Sequence, residues 1–252
     1  MRLIGILGGM GPDAGIALSR NIVCNTIAKK DQDHLPQILC SLPEMIPDRT
    51  EYLTGKIKIN PGYQISKILT RMESFGVTCA AMACNTAHAP EIFDVIISGL
   101  TKNSSKMNLL HMIEETGKFI KDHYGDRKCA GILGTTGTYI TRQYDMIARY
   151  GLTVINIAEE QQEKLQKAIY DPGYGIKANA GKIPPETQQI LNDSIMSLIE
   201  RGAEIIVLGC TELPLVFSEA RFHGIPVIDP SVVLARALIK AHSPEKLKPR
   251  EE

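Results

Sequence analysis

Tryptophan is absent from this 252-residue chain, and aromatic residues make up only 5% of it. A platform for stacking successive bases needs exposed rings, so this scarcity argues against single-stranded nucleic acid as a partner. Neither sign of charge is in excess: Lys+Arg and Asp+Glu both number 28, for a formal net charge of zero. Duplex nucleic acid and anionic membrane surfaces reward a basic surplus, and the chain has none to offer. No apolar run reaches the roughly 20 residues that a membrane-spanning helix requires. The opening Met1-Arg2-Leu3-Ile4-Gly5-Ile6-Leu7-Gly8-Gly9 is too short in apolar residues for a signal peptide. The expected compartment is therefore the cytoplasm, where thiols stay reduced. The six cysteines, at 24, 40, 79, 84, 129 and 210, contain no C-x-x-C pair, which disfavours a zinc cluster or a disulfide framework. Four of them, Cys24, Cys40, Cys79 and Cys129, lie in apolar segments and read as small buried hydrophobes.

What the chain does contain is a regular alternation of short apolar runs with helical periodicity. Strands are expected over 3–7, 37–42, 77–83, 107–112, 129–134, 153–157, 205–209 and 226–228. Helices are expected over 12–28, 63–75, 91–97, 114–124, 139–150, 160–170, 190–199 and 231–242. Pro12 suits the first turn of its helix and the Asp13 carboxylate the positive end of the dipole. Residues 43–50 and 171–185 read as loops, and 243–252 as a frayed, charged tail. Such alternation implies an α/β fold of parallel sheets covered on both faces by helices.

The alternation also repeats. Gly5-Ile6-Leu7-Gly8 recurs as Gly131-Ile132-Leu133-Gly134, and Cys84 recurs as Cys210; both pairs are 126 residues apart (131 against 5, 210 against 84). Two landmarks with one offset imply two similar lobes related by a pseudo-twofold, one over 1–113 with 225–252 and the other over 114–224. In parallel sheets ligands bind beyond the C-terminal strand ends. Cys84, in Met82-Ala83-Cys84-Asn85-Thr86-Ala87-His88, and Cys210, in Leu208-Gly209-Cys210-Thr211-Glu212, both fall at such ends, so the two thiols should face one cleft.

Two thiols on opposite walls suit inversion of a carbon: one thiolate removes a proton, and the other thiol delivers one to the opposite face. Each then needs help to ionise, and a helix N-terminus after each cysteine would supply positive potential and N–H donors. Asn85, Thr86 and Thr211 add short polar side chains that can hold a carboxylate. His88 reads as a structural hydrogen-bonding residue rather than a group that polarises Cys84. Glu212 reads equally as a partner of Cys210 or a substrate contact.

The motifs Ile4-Gly-Ile-Leu-Gly-Gly-Met-Gly-Pro12, Pro47-Asp48-Arg49-Thr50, Cys84-Asn-Thr-Ala-His88 and Leu208-Gly-Cys-Thr-Glu212 resemble those of the aspartate/glutamate racemase superfamily, and the Gly-Gly-Met-Gly-Pro opening points to its aspartate racemase branch. The resemblance implies an amino-acid racemase acting on a small acidic substrate without pyridoxal phosphate, metal or other cofactor, in a homodimer of two-lobed subunits. It makes Cys84 and Cys210 the acid/base thiols, Arg49 the grip on the side-chain carboxylate, and Lys177 a second cation facing the substrate. Asn85, Thr86 and Thr211 would hold the α-carboxylate. Met10, with Gly9, and Thr135 with Thr136 would form the other cleft walls, with Glu212 beside them.

Other readings of the same residues are weaker. Gly9-Met10-Gly11-Pro12-Asp13-Ala14 fits the dinucleotide fingerprint, with Asp31 or Asp33 downstream, but the equivalent turn Gly134-Thr135-Thr136-Gly137 lacks it. A single-cysteine isomerase or decarboxylase of the same superfamily would not need two thiols. A non-catalytic amino-acid-binding protein would bind substrate in the cleft yet exchange no α-proton.

Overall fold

The computed structural model describes residues 2–179 and 182–250. Residues 180 and 181 of the expected 171–185 loop, and 251 and 252 of the expected tail, lie outside the described residues, as does Met1.

The first half begins with strand β1 (Leu3–Gly8), helix α1 (Pro12–Asn25) and strand β2 (Gln37–Ser41). Helices α2 (Arg49–Leu53) and α3 (Gly62–Ser74), strand β3 (Val77–Met82), helix α4 (Pro90–Lys102), strand β4 (Asn108–Leu110) and helix α5 (Met112–His123) follow. The second half runs β5 (Cys129–Gly134), α6 (Thr136–Thr141), β6 (Thr153–Asn156), α7 (Glu159–Tyr170) and α8 (Pro185–Glu200). It ends with β7 (Ile205–Gly209), β8 (Arg221–Phe222), β9 (Ile225–Ile228) and α9 (Pro230–His242). Proline occupies the first turn of α1, α4, α8 and α9, where its missing N–H has no intrahelical partner to lose.

The strands form two sheets of one design. The first has the order β2-β1-β3-β4, all parallel. The second has the order β6-β5-β7-β9-β8; its first four strands are parallel, and β8 adds an antiparallel edge. The 126-residue repeat is therefore a repeat of topology, with β1 matching β5 and β3 matching β7. Gly5 and Gly131 show why glycine recurs in it. A Cβ at Gly5 would stand 2.6 Å from Val77 Cγ1, and one at Gly131 would stand 2.9 Å from Ala203 Cβ. In each sheet the central strand is pressed too closely for a side chain.

Each sheet buries both faces. In the first, Leu3 and Leu7 pack with α3 and α4, while Ile4 and Ile6 pack with α1 and with Leu234, Leu238 and Ile239 of α9. In the second, Leu133 packs with α7 and α8, while Ala130 and Ile132 pack with Ile113 and Ile120 of α5. Each half thus sends its last helix to cover the other half's sheet.

Several expectations are corrected. The strand near 226–228, assigned with α9 to the first lobe, pairs instead with β7: the second sheet needs an outer parallel partner on that edge, as β4 serves β3. Only the helix crosses over. The hairpin β8–β9 turns through His223 and Gly224, both at positive φ (47° and 81°), which suits a tight two-residue loop. The expected 139–150 helix is split at Arg142, which sits in the left-handed region (φ 49°); α6 precedes the break and a 3-10 helix, Gln143–Tyr150, follows it. Arg49 does not lie in a loop but opens α2, with Asp48 Oδ1 capping the N–H of Glu51 at 2.8 Å. The tail is held rather than frayed over its described part: the Ile27 N–H donates to Lys246 O at 2.7 Å, and the Lys248 N–H to Asn25 O at 2.9 Å. Cys24 is exposed, not buried, while Cys40 and Cys129 are half-buried and Cys79 is buried. Among the described residues, no helix is long and apolar enough to cross a membrane.

Leu234 and Ile120 are fully buried on the two crossing helices. Leu234→Ala and Ile120→Ala should each lower stability by about 2–5 kcal/mol, read as a shifted midpoint in urea. Because the helices are exchanged, the wild type should unfold in one transition; two separated transitions would contradict the interlocking.

Candidate active site

A cavity of about 370 Å³ opens where the two sheets' C-terminal edges meet. Its walls come from both halves: the turn from Gly9 to Asp13, the segment of Pro43, Ile46, Asp48 and Arg49, then Ile176 and Lys177, and finally Glu212 and Leu215. Cys84 and Cys210 are buried and do not line it. Each has a charged residue of the cavity as its neighbour.

Cys84 lies behind Arg49. The Arg49 guanidinium donates to Met10 O at 2.7 Å and to Pro47 O at 3.1 Å, and Asp48 Oδ2 lies 3.9 Å away. Burial works against the Arg49 charge, but Cys84, Asp48 and Tyr170 together outweigh it and hold the pKa above its ordinary value. The buried Nε has no hydrogen-bond partner.

Cys210 lies behind Glu212. Its thiol donates to Glu212 Oε2 at 3.1 Å, and the Thr211 hydroxyl is 3.3 Å from the same oxygen. The other carboxylate oxygen pairs with Lys177 Nζ at 2.7 Å. Lys177 Nζ also reaches Met10 O at 3.4 Å, so the Met10 carbonyl receives a cation from each half of the chain. Burial is the largest influence on Lys177 and opposes its charge, but Glu212 and Cys210 reverse that and raise its pKa. The Cys210 thiol is pushed well above its ordinary pKa, first by burial and then by the Glu212 charge. Lys177 and the Glu212 N–H act in the opposite direction.

Of the expected site residues, Met10, Arg49, Lys177 and Glu212 line the cavity. The others form the support beneath it. Asn85 accepts from Gln143 Nε2 at 2.9 Å through its backbone carbonyl and from the Tyr144 hydroxyl at 2.5 Å through Oδ1, leaving its buried Nδ2 without a partner. The Thr86 and Thr135 hydroxyls are 3.1 Å apart, with Thr138 and Thr50 within 3.5 Å of one or both. The Thr136 N–H donates to Gln166 Oε1 at 2.8 Å. Thr211 donates to Ala83 O at 3.4 Å, tying the two cysteine loops together.

The helix N-termini expected after each cysteine are not there. A 3-10 turn, Thr86–His88, separates Cys84 from α4, and another, Leu213–Leu215, follows Cys210 with no α-helix before α9. Charged side chains stand where helix dipoles were expected. Sequence reasoning also missed Gln143, Tyr144 and Tyr170. The break at Arg142 aims the first two at Asn85, and Tyr170 donates to Asp48 Oδ2 at 3.3 Å. No spacing rule marks such contacts, which join residues 58 and 59 positions apart. Among the described residues, no group of three or more His, Cys, Asp or Glu could hold a metal ion.

His88 takes the structural role expected of it. Its Nδ1 is 2.8 Å from Cys84 O, and since a carbonyl only accepts, the hydrogen sits on Nδ1. Phe93 and His111 pack against the ring. Burial, reinforced by His111, lowers the His88 pKa from 6.5 to about 3. The unfolded chain therefore binds a proton that the folded chain refuses between those values. Stability should be full above pH 6.5 and fall by up to about 1.4 kcal/mol per pH unit on acidification towards pH 3. Chemical denaturation at stepped pH should show this slope, and it should shrink in His88→Gln.

The model of the Asp/Glu/Hydantoin racemase family matches residues 7–238. A broad specificity amino-acid racemase of Bacillus subtilis is 28% identical over 249 residues, covering 95% of this chain and 98% of the relative. The solved aspartate racemase of Picrophilus torridus superposes with a TM-score of 0.80 at 30% identity, covering 98% of this chain and 96% of that one. A glutamate racemase of Francisella tularensis, solved with D-glutamate, shares the fold at a TM-score of 0.65 and 17% identity, over 99% of this chain and 84% of its own. With the repeated sheets, the paired cysteines and these matches together, the chain belongs to the Asp/Glu/Hydantoin racemase family.

Proposed function

We propose that this amino-acid racemase inverts the α-carbon of aspartate, and secondarily glutamate, with Cys84 and Cys210 as the two acid/base thiols. The observation that carries the reading is that each thiol has a charged residue of one cavity as its neighbour: Cys210 donates to Glu212 Oε2 at 3.1 Å, and Arg49 interacts electrostatically with Cys84. A second observation supports the substrate class. Arg49 Nε and Asn85 Nδ2 are buried donors without acceptors, and such groups cost roughly 1–3 kcal/mol each when unsatisfied. A dicarboxylate offers an acceptor to each: its side-chain carboxylate to Arg49 and Lys177, its α-carboxylate to Asn85.

The chemistry follows from these placements. One thiolate takes the α-proton, the charge spreads into the α-carboxylate, and the opposite thiol returns a proton to the other face. Fixed donors in a site shielded from water stabilise that charge most effectively. Arg49 and Glu212 stand between cavity and sulfurs, so productive binding shifts both, the substrate carboxylates replacing the Met10 carbonyl as partners of the cations. As the family resemblance implies, the working form is a cytoplasmic homodimer that uses no cofactor. A wider substrate range, like that of the Bacillus subtilis relative, is the second reading, favoured by a cavity of about 370 Å³, roomy for a four-carbon acid.

The test is incubation in D₂O with each enantiomer of a panel of amino acids, followed by NMR and chiral chromatography. Inverted aspartate should carry solvent deuterium at Cα; no exchange with any amino acid would sink the reading, and equal rates across neutral amino acids would favour the wider range. Cys84→Ala and Cys210→Ala should each lower racemisation by about 10²–10⁴-fold, the usual contribution of a positioned acid or base. Arg49→Lys keeps the charge but loses the planar fork, and should raise KM for aspartate roughly tenfold or more.

A further inference from the structure

The two thiols do not have equivalent neighbours. Cys84 lies beside a cation, Arg49, whereas Cys210 donates to an anion, Glu212, at 3.1 Å. Glu212 is itself almost fully buried, and its carboxylate sits between Cys210 and Thr211 on one oxygen and Lys177 on the other. A buried carboxylate is tolerated only when paired and hydrogen-bonded, and here every partner is a protein group. The fold makes space for this arrangement. Gly11, in the first half's turn, lies so close that a Cβ there would collide with Glu212 Oε1 and stand 3.3 Å from Lys177 Nζ.

We infer that Glu212 is the proton partner of Cys210: it holds the thiol protonated while the cleft is empty, and accepts that proton when Cys210 must act as the base. This rests on the racemase reading given above. The step balances. The hydrogen leaves Cys210 Sγ for Glu212 Oε2, giving a thiolate and a carboxylic acid, and Lys177 remains an ammonium on the far oxygen. Cys210 then takes the α-proton and Cys84 donates its own to the opposite face. Glu212 afterwards releases its proton to the water of the cavity that it lines, and Cys84 regains one from the same source. The groups facing Cys210 are Glu212 through both its carboxylate and its N–H, Lys177, and the phenol of Tyr144, which Asp229 in turn faces. Lys177 and the N–H favour the thiolate, and the Glu212 carboxylate opposes it.

The experiment reads Cys210 directly. Full-length protein with Cys84→Ser is alkylated by iodoacetamide across pH 6–10 without substrate, and modification is followed at each cysteine by peptide mass spectrometry, with exposed Cys24 as the internal reference. Glu212→Gln should move the Cys210 midpoint down by about one pH unit, making alkylation near neutral pH about tenfold faster. Lys177→Met should move it up, and Glu212→Asp should leave it near the parent. The midpoint is the readout, because a change of access alone alters only the plateau. Circular dichroism checks folding, and if Glu212→Gln does not fold, the upward shift in Lys177→Met carries the test. Unmoved midpoints, or both variants shifting the same way, would overturn the inference. Failure of α-proton exchange in wild type would instead remove the racemase reading while leaving the link between Cys210 and Glu212 measurable.

Discussion

The Met10 carbonyl is the point on which the site depends. It receives Arg49 from the first half and Lys177 from the second, at 2.7 and 3.4 Å. A buried and a half-buried cation converging on one neutral oxygen repel each other, and the arrangement holds because each has its own counter-charge. Asp48 serves Arg49, and Glu212 serves Lys177. Removing one member of such a buried set commonly costs about 3–5 kcal/mol, because its partner is left uncompensated. The same set brings positive charge to the cavity wall, and its Glu212 carboxylate opposes ionisation of Cys210. On the proposed reading, placement of the substrate and poise of Cys210 are one electrostatic problem.

The support beneath the cavity is polar but uncharged. Thr86, Thr135 and Thr138 place hydroxyls from both halves within 3.5 Å of one another, and Thr50 joins them through Thr135 at 3.4 Å. Tyr144 and Gln143 of the second half hold Asn85 of the first. Hydroxyl groups can donate or accept, so this contact between the halves can rearrange its hydrogen bonds without leaving a buried group unsatisfied. On the proposed reading, in which Arg49 and Glu212 shift to admit substrate, such a floor can follow the movement.

Much of this was legible in the sequence because it is local. The strand-end cysteines follow apolar runs, proline marks helix starts, and Gly5 and Gly131 repeat for a packing reason that a single offset reveals. What was not legible depends on distant partners. Nothing near 225–228 says which sheet that strand joins, because either sheet has an open edge. Nothing near Lys177 says that it meets Glu212, 35 residues on. Helix dipoles were expected beside both cysteines, whereas the chain places Arg49 near Cys84 and Glu212 against Cys210, side chains delivered by tertiary structure. Arg49 was placed in the right region but in the wrong element, since the Asp48 cap that turns a proline-rich stretch into α2 is a single hydrogen bond.

The exchange of α5 and α9 bears on how the chain is made. The apolar face formed by Ile4, Ile6, Cys79 and Ala81 is covered by α1 and by Leu234, Leu238 and Ile239 of α9. At typical synthesis rates of about 5–20 residues per second, α9 emerges on the order of ten seconds after β4. For that interval the first sheet is complete in its strands yet bare over part of one face. Such exposed apolar surface is what molecular chaperones recognise, so the nascent first half is a natural client for them, and a chain cut short before residue 230 would leave the first sheet without its α9 cover.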